Sequence, residues 1–273
     1  MIFFVIFGAM LGAALGSFAC CQAWRIRLKA TGKKNPGKRS VCLSCGEKLR
    51  WFENIPVVSW VVQKGKCRHC GKEIGKAEIL SEVAGAVGFG MIGWKFGQEY
   101  LWIAENCGTG IDCCCGGDVR MWFLIGKVVN VVIFTTLLLI LAIYDAKWRE
   151  MPVGILVAAV VAGGVLAVLS ITDYTTDVWS LVGGVGLLAG TYYILYIVSR
   201  EKLVGGGDWI LCLAIAFGLS SWWLALVELF LANFIGCVVM LPQKKKRIAF
   251  GPFLVIGFVI IFTFADEIVK LLY

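Results

Sequence analysis

The chain has 273 residues, 59% of them hydrophobic, with a mean hydropathy of +0.83, which excludes a soluble single-core domain. The net charge is +8, and 14 of the 26 Lys and Arg fall between Arg25 and Lys76. In so apolar a chain a basic cluster marks a cytoplasmic loop, and no nucleic-acid partner is expected.

The apolar runs predict an all-α polytopic membrane protein of about eight transmembrane helices, near 2–24, 80–97, 121–143, 152–171, 178–198, 208–220, 222–241 and 251–271. No Lys or Arg precedes the first run and Arg25 follows it. The pattern therefore predicts a retained helix with its N-terminus outside rather than a cleaved signal. Alternating the spans from there puts 25–79, 144–151, 199–207 and 242–250 inside, and these segments carry 22 of the 26 Lys and Arg. The expected organisation is a first helix (1–24), a cytoplasmic loop domain (25–79) and a membrane core with seven further helices (80–273). The sixth span is the shortest, and Ser220-Ser221 breaks it from the seventh, so a re-entrant or tilted segment is an alternative there. The basic run Lys244–Arg247 reads as an inside anchor that also attracts anionic lipid.

Glycines 8, 12 and 16, and 85, 88 and 93, point to close helix packing rather than chemistry. The loop 25–79 holds Cys42-Leu-Ser-Cys45 and Cys67-Arg-His-Cys70, with 21 residues between the pairs. Each pair is followed by glycine (Gly46, Gly71), which lets two thiolates face one point. Four thiolates in a tetrahedron suit structural zinc, whose binding supplies folding energy that so small a loop lacks. Two disulfides are the alternative, disfavoured by a cytoplasmic location. His69 reads as a bystander. Cys107 and Cys113–Cys115, in the outside loop 98–120, read as disulfide partners or, less simply, a metal site.

Asp145 ends one apolar run, and Asp208 opens another behind Gly205-Gly206-Gly207, 63 residues later. Charge counting places both acids on the cytoplasmic side. Two carboxylates brought together share a proton, so the neutral acid and its ionised neighbour take separate roles in acid/base chemistry. The glycines would permit irregular backbone and close approach of a substrate main chain. Three other readings stand beside this one. Asp145 is a solvated acid paired with Lys147 or Arg149, Asp208 is a helix cap, or both belong with Glu228 to the proton relay of a zinc-bearing ion-coupled transporter.

Tyr144-Asp145 with Gly205–Asp208 resembles the paired motif of the GxGD aspartyl membrane proteases. The ordered set resembles more closely the bacterial type IV prepilin peptidases (leader peptidase/N-methyltransferases). It comprises Gly16-Ser17-Phe18 with Arg25, the two cysteine pairs around Asn54–Trp60, Glu82, Asp145 with Pro152, Gly205–Asp208 and Phe250–Phe253. Departures are Cys20 where the family has Asn, Val153 where an acid is frequent, Ile210 where Lys is frequent, and Glu53 for Asp. The resemblance implies Asp145 and Asp208 as catalytic acids and Cys42, Cys45, Cys67 and Cys70 as zinc ligands. It also implies cytoplasmic-side cleavage of the basic leader of prepilins or pseudopilins, in a multi-pass protein of the bacterial inner membrane. Members with the cysteine loop also N-methylate the new N-terminus from S-adenosylmethionine. That implies the same for 25–79, although no glycine-rich nucleotide fingerprint is present there and no donor-binding residue is assigned. The basic leader would meet acids such as Glu47, Glu53, Glu73, Glu78 or Glu82. A membrane protease of the same type with non-pilin substrates is the neighbouring alternative.

Overall fold

The computed structural model describes the chain apart from 33–39, 43, 108–112, 173–175, 201–203, 242–248 and 273; the side chains of 106–120 and 272 are also outside the description. The predicted outside cysteine group (Cys107, Cys113–Cys115) and the Lys244–Arg247 anchor therefore lie beyond the described side chains. Among the described residues the elements are α1 (Ile2–Ala30), a 3-10 turn (Trp51–Asn54), α2 (Val58–Val62), α3 (Lys76–Cys107), α4 (Cys113–Trp148), α5 (Val153–Thr172), α6 (Val178–Ser199), α7 (Gly206–Leu219), α8 (Trp222–Met240), α9 (Gly251–Thr263) and α10 (Ala265–Leu272).

Six helices are long and apolar enough to cross a membrane, and a seventh span results if α9 and α10 are counted together. Large apolar side chains such as Val157, Val161, Phe230 and Phe234 point outward, as lipid contact requires. Every predicted span is helical, but two differ from expectation. The last predicted span, 251–271, bends by 74° between α9 and α10. Beyond the bend, Asp266 reaches the buried Lys95 of α3 at 3.1 Å, a pairing that a straight helix could not be assumed to make. The other is α7, whose 14 residues span about 21 Å, short of the roughly 30 Å hydrocarbon core.

Its length is explained by its surroundings. Leu211, Cys212, Ala214, Ile215 and Ala216 of α7 are all fully buried, enclosed by α5, α6 and α9. Gly163 of α5 makes the approach possible: a Cβ there would fall 2.6 Å from the Ala214 carbonyl oxygen. Ser220 closes α7 in a left-handed conformation at φ 52°, with its hydroxyl donating to the Phe217 carbonyl at 2.6 Å. The break expected at Ser220-Ser221 is thus a helix cap.

The N-terminal helix docks on α3 through the glycines singled out in the sequence. A Cβ on Gly12 would lie 2.1 Å from the Gly85 carbonyl oxygen, and one on Gly93 would lie 2.4 Å from that of Phe4. Gly88 differs, facing Val259 of α9 at an ordinary 3.6 Å. Between lipid-soluble helices such backbone contact replaces the hydrophobic drive available in water.

Gly12→Leu is therefore expected to lower thermal stability in detergent by several degrees, since backbone cannot yield as a side chain does; overpacking costs about 1–3 kcal/mol or more. Gly126→Leu, at a helical glycine with open space beside it, should leave the midpoint unchanged.

Candidate active site and metal centre

Asp145 lies in the last turn of α4 and is 6% exposed. Its Oδ2 accepts the amide N–H of Gly251, the first residue of α9, at 2.9 Å. An acid from one helix thus holds the N-terminus of another, where unpaired amides and the helix dipole favour negative charge. Gly251 permits it: a Cβ would stand 2.9 Å from that oxygen and 3.0 Å from the Met151 methyl. Pro252 follows in the first turn, where its missing N–H costs nothing.

Asp208 lies in the first turn of α7, and its Oδ2 accepts the Gly205 amide N–H at 2.9 Å. The expected helix-cap role of Asp208 is corrected in position: the N-cap is Gly205, and Asp208, three residues in, reaches back to it. It does not compete with a chemical role, because the second oxygen of each carboxylate is not engaged by these bonds. Asp208 acts electrostatically on Asp145, as does Arg149 from the opposite sign, so the two acids share one local field.

Met151 is the wedge between the two motifs. Its side chain touches the Cβ position of Gly207 at 2.9 Å and that of Gly251 at 3.0 Å. No positive φ occurs at Gly205, Gly206 or Gly207. The glycines therefore serve close approach rather than irregular backbone. Gly207 admits Met151, Gly206 faces the Tyr196 ring at 3.5 Å, and Gly205 and Gly206 are exposed beside Asp208. Sequence reading missed Met151, since an apolar residue in a loop carries no signal.

Glu228, the third acid of the transporter reading, is fully buried in α8, and neither carboxylate oxygen has a hydrogen-bond partner among the described residues. It faces Gly257 of α9, where a Cβ would fall 2.7 Å from Oε2.

The two cysteine pairs fold as matching knuckles. Cys42 N–H donates to Glu47 and Gly46 N–H returns to Cys42; Cys67 N–H donates to Lys72 and Gly71 N–H returns to Cys67. Gly46 and Gly71 adopt φ 74° and 68°, which favours glycine, so their predicted role holds. The four sulfurs of Cys42, Cys45, Cys67 and Cys70 lie within 4.8 Å of one another, and none is in a disulfide. Tetrahedral zinc with bonds near 2.3 Å needs sulfurs about 3.8 Å apart, a small contraction. Cys42 and Cys70 are already at 4.0 Å.

The thiols cannot all ionise unaided. Burial raises Cys42, but the amides of Cys45 and Ser44 and the neighbouring thiols outweigh it and bring its pKa to about 7. The Glu47 amide lowers Cys45, but burial and the other thiols push it to about 11. A divalent cation removes that conflict, so the group fits zinc.

Fold and site together define a multi-pass helical membrane protein with two acids at adjoining helix ends and a four-cysteine centre. Residues 10–96 match the bacterial peptidase A24 N-terminal domain. The chain is 26% identical over 268 residues to the prepilin leader peptidase/N-methyltransferase of Bacillus subtilis, covering 96% of this chain and 94% of that one. The proteins of the same name from Pseudomonas aeruginosa and Stutzerimonas stutzeri are 27% and 25% identical, over 85% and 84% of this chain and 73% of each relative. No solved structure matches. The resemblance to the type IV prepilin peptidases read in the sequence is borne out along nearly the whole chain.

Elemental analysis of the purified, reduced protein is expected to find one zinc per chain. Cys42→Ser should lose the metal and expose 25–79 to proteolysis, because zinc binding supplies on the order of 10 kcal/mol to folding.

Proposed function

We propose that this protein is an aspartyl endopeptidase of the bacterial inner membrane. It cleaves the basic leader of type IV prepilins or pseudopilins on the cytoplasmic side, then N-methylates the new N-terminus. The observation that carries the peptidase reading is the convergence of Asp145 and Asp208, from helices far apart in the chain, into one local field beside Met151. The names of the relatives supply the substrate class and the second activity.

In this reading the pair holds one proton at a time. The ionised carboxylate takes a proton from the attacking water while the protonated one hydrogen-bonds the scissile carbonyl oxygen. The tetrahedral intermediate then collapses, the C–N bond breaks, and a proton passes to the leaving amine. The two acids titrate as a unit, and neither role belongs to one residue alone. Exposed Gly205 and Gly206 leave room for a substrate main chain beside Asp208, while Gly207 is committed to Met151. The basic loops support a cytoplasmic orientation of this end of the bundle.

Zinc, held by Cys42, Cys45, Cys67 and Cys70, has a structural part: it fixes the loop between α1 and α3. S-adenosylmethionine, when bound, would supply the methyl group for the new N-terminal amine.

The test is incubation with a prepilin in membranes, read by mass spectrometry. Wild-type protein is expected to remove the leader and add one methyl group. Asp145→Asn and Asp208→Asn should each reduce cleavage by about three orders of magnitude or more while still inserting. Wild-type rates in both variants would contradict the reading, and cleavage confined to non-pilin leaders would reassign the substrate.

A further inference from the structure

A cavity of about 450 Å³ lies between the cysteine loop, α1 and the start of α3, and Lys147 of α4 reaches it. That volume is in the range of small-molecule sites. Its lining includes Trp24 and Trp60, the acids Glu53, Glu78 and Glu82, and Lys147.

Two polar atoms of the lining stand without partners among the described residues: Trp60 Nε1 and Glu78 Oε2, both inaccessible to solvent. Leaving a buried donor or acceptor unsatisfied is costly, so such atoms at a cavity wall mark where a ligand makes bonds. The second oxygen of Glu78 lies 3.7 Å from Lys147 Nζ. Glu53 and Glu82 are 8% and 9% exposed.

The wall is also held in strained backbone. Val57 has φ 63° and ψ −51°, a conformation a β-branched residue adopts only when its surroundings impose it. Glu82 imposes it, accepting the Val57 N–H at 2.7 Å, and the Val58 N–H closes a tight turn onto Pro56 at 2.6 Å. Three residues later Trp60 rests on Gly65, where a Cβ would fall 2.8 Å from the indole ring. Strain, glycine and a buried acid thus fix the indole at the cavity.

We propose that this cavity binds the methyl donor, S-adenosylmethionine, with Trp60 and Glu78 as its principal contacts. The inference rests on the methyltransferase reading above and deepens it. The donor carries an adenine ring, two positive centres and one carboxylate. Trp60 and Trp24 offer aromatic faces to ring and sulfonium. Glu78 and Glu53 match the cationic centres, Lys147 matches the carboxylate, and Trp60 Nε1 gains an acceptor. Lys147 lies two residues from Asp145 on α4, so the donor sits beside the helix end where a new N-terminus is released. Cys42 and Cys67 also border the cavity, which makes the metal centre part of its wall.

The experiment measures S-adenosylmethionine binding to purified full-length protein by calorimetry and maps ultraviolet cross-links of the labelled donor by mass spectrometry. Trp60→Ala and Glu78→Ala are expected to weaken binding at least tenfold and to remove methylation. Zinc content should stay unchanged in both variants, and the KM for leader cleavage should stay unchanged in Trp60→Ala. In wild-type protein the cross-link should fall within 17–25, 40–82 or at Lys147. Normal affinity in both variants, or a cross-link elsewhere, overturns the site while leaving methylation standing. A raised cleavage KM with normal donor binding also overturns it, assigning these acids to the basic leader. A wild-type protein that neither binds the donor nor methylates removes the methyltransferase reading and this site with it.

Discussion

The hydrogen bond from the Gly251 amide to Asp145 is the contact on which the arrangement of the membrane core depends. It joins the end of α4 to the start of α9 at a buried position where water cannot substitute. Without that partner the Gly251 N–H would stand unpaired in a low-dielectric setting, since Pro252 has no N–H and those of Phe253 and Leu254 bond the Phe250 carbonyl. One acid solves that problem and is fixed by solving it. Asp208 does the same for its own helix through Gly205. Both carboxylates are therefore oriented by backbone, which varies less than side chains, and each keeps an oxygen not used by that bond. Pre-orientation of this kind is what acid/base chemistry asks of its groups.

The glycines follow from the same constraint. At Gly251 and Gly207 a side chain would collide with Asp145 or Met151. Gly8, Gly12, Gly16 and Gly85 bring α1 and α3 to backbone contact. Gly65 seats Trp60, and Gly46 and Gly71 turn the two knuckles. In each place the missing Cβ, rather than general flexibility, is what the structure uses. The burial of α7 extends this logic. A 14-residue helix is shorter than the hydrocarbon core is thick, but enclosed by α5, α6 and α9 it brings Asp208 to the end of the bundle where α4 terminates.

Much of this was legible in the sequence because the signals are chemical and periodic. The apolar runs gave the helices, charge counting gave a common side for Asp145 and Asp208, and the CxxC-Gly pairs gave the four-sulfur cluster. The break at Ser220-Ser221 was visible as a pair of polar residues in an apolar stretch. What was not legible depended on contacts between distant residues. Nothing near Phe264 announces the 74° bend, which accompanies the pairing of Asp266 with Lys95, 171 positions away. Met151 looks like any loop methionine until Gly207 and Gly251 close on it. The cavity was hidden for the same reason, since Trp60, Glu78 and Lys147 come from three separate elements. The glycines before Asp208 were read as allowing irregular backbone and close approach of a substrate main chain; none has a positive φ, and at Gly207 the close approach is that of the Met151 side chain.

The central claim is that Asp145 and Asp208 form one site. Its most direct test is proximity in the membrane. Thiols introduced by Asp145→Cys and Asp208→Cys should be joined by a short bifunctional thiol reagent in native membranes, with the linked peptides identified by mass spectrometry. The structure predicts a dominant cross-link between positions 145 and 208. Cross-links from each position only to other cysteines, with none between the two, would contradict it.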